Sequence, residues 1–258
     1  MDSERDELRG ALAFMAQVDE GAATEVRKWR LGTVLISPEL PRVWDASYFR
    51  VEDPVHGDGE RVGAEAVELA RDVGLAQAAV VVTDDHVADA LGPGLRNQGF
   101  EEARFVLMAL RRVPPAPEMA IAEVSFDDVA ESRRQITLET FPGDEALARQ
   151  LGDLDRRLEA TVGGRWFAVE DEGEVVSRAW LLGADGVGQV EDVATLPLHR
   201  GRGLARAVVS AAARASHADG NELTFVIANA GETVPELYRK TGFEPIGFKR
   251  RYVKRIGN

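Results

Sequence analysis

Residues 196–220 read LPLHRGRGLARAVVSAAARASHADG. The run Arg200-Gly201-Arg202-Gly203 stands directly before an alanine-rich helical stretch, although glycine weakens helices. A strand ending near Pro197, then a glycine turn, then a helix start would aim the orphan N–H groups of the first helical turn at one point. The helix macrodipole adds partial positive charge there. Such an entrance is an anion site, suited to a phosphate or pyrophosphate. Gly201 and Gly203 let the backbone approach a ligand and take positive φ, while Arg200 and Arg202 add charge. The spacing is neither G-x-x-x-x-G-K-[ST] nor G-x-G-x-x-G, so a nucleoside-triphosphate loop and a dinucleotide fold are both poorly supported. A glycine turn carrying two solvated arginines is the bland alternative.

The elements that would position this turn follow from periodicity and punctuation. Residues 126–140 look helical, with Asp127 or Asp128 near the N-cap. A second helix covers 143–160, ahead of Gly163-Gly164. RWFAVED, VVSRAWLLG and QVEDVATLP are strands separated by glycine turns. The helix of the opening stretch runs through His217, and ELTFVIANA is a buried strand. Residues 232–240 form a short helix stopped near Gly242, and FKRRYVKRI is a final strand. The order αα-βββ-α-β-α-β is a mixed α/β layer fold. VPPAPE, residues 113–118, carries three prolines, which stop helices and central strands alike. It is the linker candidate, separating a module at 1–112 from one at 119–258.

The first half follows a related plan. RVWDASYFRVED reads as a strand, RVGAEAVELARDVG as a helix and QAAVVVTD as a buried strand. HVADALGPGLRNQGF is a helix ending in Gly-Phe, and ARFVLMALRRV a strand. Aligning Gly99-Phe100 on Gly242-Phe243 puts Glu60 opposite Gly203 and Leu95 opposite Tyr238. Internal repetition and coincidence of element order both remain open readings.

Composition bounds the chemistry. The chain has 258 residues, 45% of them apolar, enough for one large or two small domains with a real core. It has no cysteine, which removes disulfides, Cys-ligated metals and a Cys acyl-enzyme. The four histidines, His56, His86, His199 and His217, are scattered without metal-ligand spacing. A net charge of −13 disfavours nucleic acid as partner and suits cationic small molecules such as amines, or serves solubility alone. The N-terminus MDSERDELRG lacks an apolar targeting region, and no apolar run approaches a membrane span. A soluble cytoplasmic protein with no metal and no membrane partner is expected.

Arg200-x-x-Gly203-x-Ala205 fits R/Q-x-x-G-x-G/A, and it is followed by ELYRKTGF with Tyr238 before Gly242-Phe243. Loop, preceding strand, Tyr and Gly-Phe in this order resemble the GNAT superfamily of N-acetyltransferases over roughly residues 116–254. The resemblance implies a GNAT-like acyl-CoA-binding fold, in two tandem modules of which the N-terminal one is degenerate and non-catalytic. It further implies an acetyltransferase moving an acetyl group from acetyl-CoA to a primary amine. In that family the loop amides hold the pyrophosphate, which here would be Arg202, Gly203, Leu204, Ala205 and Arg206, beside Arg200 and Gly201. The pantetheine would pair with Val193, Ala194 and Thr195. Tyr238 would protonate the coenzyme A sulfur. Glu191, one of a face shared by Gln189, Glu191, Val193 and Thr195, is the candidate base acting through water, with Asp192 next in line if a bulge shifts the register. Asn229 resembles a family Asn that contacts cofactor or orders water, and is equally a turn residue.

In the first half the matching loop is HGDGERVGA, where Asp58 and Glu60 would repel a pyrophosphate and Leu95 cannot protonate a thiolate. His56 reads as plain surface. The acceptor is a small-molecule amine or a basic peptide, and a homodimer is allowed. A non-catalytic acyl-CoA-binding or regulatory module is the alternative function. Trp166, Trp180 and Phe141 are as suited to core as to substrate contact.

Overall fold

The computed structural model describes residues 2–52, 58–231 and 234–256. His56 and most of the HGDGERVGA turn before Asp58 lie outside the described residues. The chain forms two compact units, one of residues 1–15 and 106–247, the other of 16–105 and 248–258. These units do not divide at the 113–118 segment. They divide inside three continuous elements, because a long strand can serve one unit with its first half and the other with its second.

In chain order the elements are α1 (Asp2–Ala22), β1 (Glu25–Trp29), β2 (Gly32–Ile36), β3 (Tyr48–Val51), α2 (Gly59–Asp72), β4 (Gln77–Val82), α3 (Asp85–Asn97) and β5 (Glu101–Leu110). There follow β6 (Ala122–Val124), α4 (Phe126–Thr140), α5 (Glu145–Val162), β7 (Gly164–Asp171), β8 (Glu174–Ala184) and β9 (Val187–Thr195). A 3-10 turn at Pro197–His199, α6 (Leu204–Ala218), β10 (Leu223–Asn229), α7 (Val234–Lys240) and β11 (Phe243–Arg255) complete the chain. The mixed α/β order expected from the sequence is the one observed. Helix α4 has the expected bounds, but its N-cap is Ser125, in a capping box with Asp128, rather than Asp127 or Asp128. A short hydroxyl reaching the N3 amide does this better than a residue already inside the turn. Helix α1 and the β1–β2 hairpin were not read from the sequence.

The unit of residues 16–105 and 248–258 carries the strand order β1-β2-β3-β4-β11. Its two faces follow the period of two. Val34, Ile36, Phe49, Val51, Val80 and Val82 meet the apolar sides of α2 and α3. Leu35, Tyr48, Ala79 and Val81 meet the opposite layer with Trp44. Leu95, the position opposite Tyr238, is fully buried in the first of these cores.

The unit of residues 1–15 and 106–247 carries β5-β10-β9-β8-β7-β6, where β9 and β10 are parallel and β6 to β9 antiparallel in succession. Here β5 belongs through Val106–Leu110 and β11 through Phe243–Gly247. Trp166 and Trp180 stack at 4.7 Å between centroids, with an interplanar angle of 7°, and both are buried. The two tryptophans are therefore core. Phe141 caps the C-terminus of α4.

Candidate active site

The register of β9 creates the site. Its parallel pairing with β10 covers Val187 to Val190 against Leu223 to Val226 and stops there. Strand β9 continues through Thr195 and β10 through Asn229 without further pairing to each other. Backbone groups left over at such a fork must find another partner. On its other side β9 stays paired with β8 as far as Ser177–Thr195, but the register shifts between Arg178 and Trp180. Two β9 residues, 192 and 193, face Ala179 alone, and Asp192 sits at φ 44°. This is a β-bulge, which bends the strand and increases its twist. Strict alternation over residues 189–195, expected from the sequence, fails at Asp192 for this reason.

An ionic cluster surrounds the bulge, with Arg178 and Asp155 buried and Arg133 and Asp192 partly buried. Arg178, 1% exposed, donates from Nε to Asp192 Oδ2 at 2.7 Å and from Nη1 to Ser132 Oγ at 2.9 Å. Arg133 donates from Nη1 to Asp192 Oδ1 and from Nη2 to Asp155 Oδ1, each at 2.9 Å. Burial opposes the Asp192 charge, but the guanidiniums of Arg133 and Arg178 outweigh it and hold the carboxyl below its usual range. Burial pushes Asp155 up to about 6 despite Arg133. Asp192, with its charge committed to two arginines, is poorly suited to be a base. Glu191, opposite Trp180 in β8, remains the better one; it accepts a hydrogen bond from the Gln189 amide.

Tyr238 lies in α7, 4% exposed, its ring edge-on to Phe243 at 6.0 Å. Burial, and then the nearby carboxylates of Glu191 and Asp192, raise the phenol above its ordinary range. Tyr238, Glu191 and the bulge therefore occupy one neighbourhood. The hydroxyl keeps its proton through neutral and alkaline pH, the state a general acid needs.

At the other end of the slot the turn before α6 is open. Gly201 and Gly203 adopt φ of 77° and 79°, where an L side chain is strained. Gly203 is the N-cap and supplies no side chain to the helix. The first intrahelical bond runs from the Ala207 N–H to the Gly203 carbonyl at 3.1 Å, leaving the N–H groups of Leu204, Ala205 and Arg206 ahead of it. Arg200 does something different from the expected charge donation. Its Nη1 and Nη2 grip Glu139 of α4 at 2.8 and 2.6 Å, and its Nε donates to the Thr195 carbonyl at 3.0 Å. Arg202 donates from Nη1 to Asp171 at 3.2 Å, with His199 Nδ1 2.9 Å away. Of the expected pantetheine segment, the Ala194 carbonyl already accepts from Ser177 Oγ at 3.1 Å and that of Thr195 from Arg200. Val193 is the second residue of the bulge, directly before these two. Asn229 accepts the Gly231 N–H at 3.0 Å and so forms a turn.

The sequence reading missed Arg133, Asp155, Arg178, Ser132 and Glu139. Arg178 alone had a visible signal, a charge in the middle of the apolar run VVSRAWLLG. Among the described residues no group of three or more His, Cys, Asp or Glu is arranged to hold a metal ion, and no helix is long and apolar enough to cross a membrane.

The site thus combines a forked parallel strand pair, a bulge and an uncapped helix start. Residues 162–245 match the family model of the acetyltransferase (GNAT) domain. The whole chain is similar in fold to a GCN5-related N-acetyltransferase from Kribbella flavida, with a TM-score of 0.62, 20% identity and 95% of each chain covered. It is also similar to a conserved protein of unknown function from Staphylococcus epidermidis, with a TM-score of 0.69, 11% identity, and 90% of this chain and 94% of that one covered. A tandem GNAT protein from the clavulanic acid biosynthesis pathway aligns with a TM-score of 0.53 and 16% identity, over 81% of this chain and 75% of its own. No curated protein matches the sequence.

Proposed function

We propose that the GNAT domain transfers an acetyl group from acetyl-CoA to a primary amine by direct attack in a ternary complex. The observation that carries this reading is the fork between β9 and β10, which runs from Tyr238 and Glu191 toward the uncapped start of α6. The pyrophosphate would take the amides of Leu204, Ala205 and Arg206, where dipole and free N–H groups favour anions. The pantetheine amides would use the edge of β9 at Val193, where pairing with β10 has ended. Glu191 would take a proton from the amine through water, so that its nitrogen attacks the thioester carbonyl carbon. As the C–S bond breaks, Tyr238 would give its proton to the sulfur. A cationic acceptor thus loses two protons, one through Glu191 to solvent and one, as the tetrahedral adduct collapses, to the Tyr238 oxygen that has protonated the sulfur, so the transfer is balanced. The absence of cysteine agrees with direct transfer. Glu191 and an overall charge of −13 suit a cationic acceptor, a small amine or a basic peptide.

The test is titration of the full chain with acetyl-CoA by calorimetry, followed by thiol release over a panel of amines. Binding with turnover of at least one amine is expected. No binding at high micromolar acetyl-CoA overturns the reading; binding without turnover of any amine assigns the chain to the non-catalytic acyl-CoA-binding class.

A further inference from the structure

We infer that the quartet Arg133, Asp155, Arg178 and Asp192 is the device that holds β9 and β10 apart, with Arg133 and Arg178 acting as positioning residues for the cofactor slot. The slot's role rests on the acetyltransferase reading above; the mechanical claim does not. If β9 ran straight, its register with β10 would continue as Glu191 with Ile227, Ala228 with Asp192 and Asn229 with Val193, extending the four observed pairs. Nothing in these residue types forbids that pairing, so the fork needs a cause. Asp192 is the one β9 residue at positive φ, a conformation that Asp tolerates better than most side chains but does not prefer.

What fixes it there is non-local. Arg178 reaches Asp192 from β8, the neighbouring strand, with two nitrogens at 2.7 and 3.3 Å. Arg133 reaches it from α4 at 2.9 Å and is itself anchored on Asp155 of α5. The remaining Arg178 nitrogen is fixed by Ser132, also of α4. The clamp thus ties one bulged residue to a strand and two helices. The four formal charges sum to zero within a largely buried space, so loss of any one leaves an uncompensated charge.

The experiment uses the full chain as Asp192→Ala, Asp192→Asn and Arg133→Gln. Amide hydrogen exchange is followed at residues 191–195 and 227–229, with β4 amides as the control for global folding. Acetyl-CoA affinity is measured in parallel. Alanine removes both the clamp and the tolerance for positive φ. In Asp192→Ala the strands should close, slowing exchange at 227–229 by about tenfold or more and weakening acetyl-CoA binding by about tenfold. Asparagine keeps the shape, the tolerance for positive φ and one acceptor but leaves one arginine charge uncompensated, so it should shift both readouts in the same direction as alanine and by less. Arg133→Gln leaves α4 helical and should shift both readouts in the same direction as alanine. Unchanged exchange at 227–229 in Asp192→Ala or Arg133→Gln, with β4 still protected, overturns the inference. If Asp192→Ala loses β4 protection, Arg133→Gln decides alone. Failure of the parent chain to bind acetyl-CoA removes the acetyltransferase reading and leaves the exchange result standing.

Discussion

Tyr238→Phe separates chemistry from packing. The ring is 4% exposed and rests edge-on against Phe243 at 6.0 Å with an interplanar angle of 71°. Phenylalanine keeps that contact and removes one oxygen, so the expected stability change is within about 0.5–1.5 kcal/mol. Acetyl-CoA affinity should hold, because the amides of Leu204 to Arg206 and the backbone at Val193 are untouched. What goes is the proton for the departing sulfur. Loss of a positioned acid costs about 10²–10⁴-fold in kcat, or about 3–5 kcal/mol of barrier. The pH dependence carries a second sign. Burial and the carboxylates of Glu191 and Asp192 disfavour the phenolate, so the folded pKa is raised and the acid form persists. Tyr238 should therefore contribute no alkaline limb to kcat/KM below about pH 9. The assay is thiol release under saturating acetyl-CoA from pH 6 to about 9.5. A kcat within threefold of the parent would remove Tyr238 from the mechanism. An alkaline limb below about pH 9 that disappears in the variant would refute the raised pKa.

Glu139→Gln asks whether Arg200 is a strut or a phosphate ligand held in reserve. If the bidentate pair positions the loop, calorimetry should show acetyl-CoA binding weakened by up to about fivefold, the scale of an exposed pair; tighter binding would mean that Glu139 competes with phosphate. Burial raises Asp19 to about 6, beyond the lowering by the Tyr48 hydrogen bond and Lys249. The folded state then holds a proton the unfolded state lacks between about pH 4 and 6, so this group's contribution to stability falls as pH rises through that window. Asp19→Asn should remove about 1.4 kcal/mol of fall between pH 5 and 7.5, read as denaturation midpoints at those two pH values in both proteins; parallel curves would exclude it. A fragment of residues 113–258 lacks Val106–Leu110 of β5 and the first turns of α1, both parts of the unit that contains the candidate site. It should fail to unfold cooperatively by calorimetry, and a monomeric, cooperatively folding fragment would show that those segments are dispensable.

The fate of that fragment marks where sequence reading stopped. Periodicity and glycine punctuation located α4, α6, β9 and β10 closely because those signals are local. The Ser125 cap, three residues from its partner Asp128, was within reach of the same logic. The unit boundaries were not. A proline-rich segment looks like a linker, yet β5 and β11 carry an unbroken strand pattern across the point where they pass from one unit to the other. At the site, Tyr238, Glu191 and the turn at Gly203 were singled out by type and order, and the structure puts Tyr238 near Glu191 and leaves Gly203 as an uncapped N-cap. Glu139, 61 residues from Arg200, and Asp155, 37 before Asp192, left no trace, because a chain does not announce which distant side chains will share a buried charge. Helix α1 was within reach as well, since Ala11, Phe14, Met15, Val18 and Ala22 follow helical spacing and are buried.

The two units also compare the same local plan in an open and a closed form. In one, β9 and β10 part after Val190 and Val226, and α6 begins on a bare Gly203. In the other, β3 and β4 remain paired through Val51 and Val82, the last residue of each. There α2 begins on Asp58, whose carboxylate accepts the Glu60 N–H at 2.9 Å and so occupies the helix end that a phosphate would need. Its Gly59 is small for another reason: a Cβ there would lie 2.0 Å from the Leu91 carbonyl oxygen, where α2 crosses α3. Glycine at 203, by contrast, has no atom within 4 Å of a built Cβ and is required by φ alone. The same residue type thus serves close helix packing in one unit and backbone access in the other. Replacing Asp58 would free the end of α2 but not the strands, so the slot in that unit would stay closed. The open pair carries a bulge and the closed pair does not, and among the described residues only β9 has an Asp at positive φ gripped by two arginines.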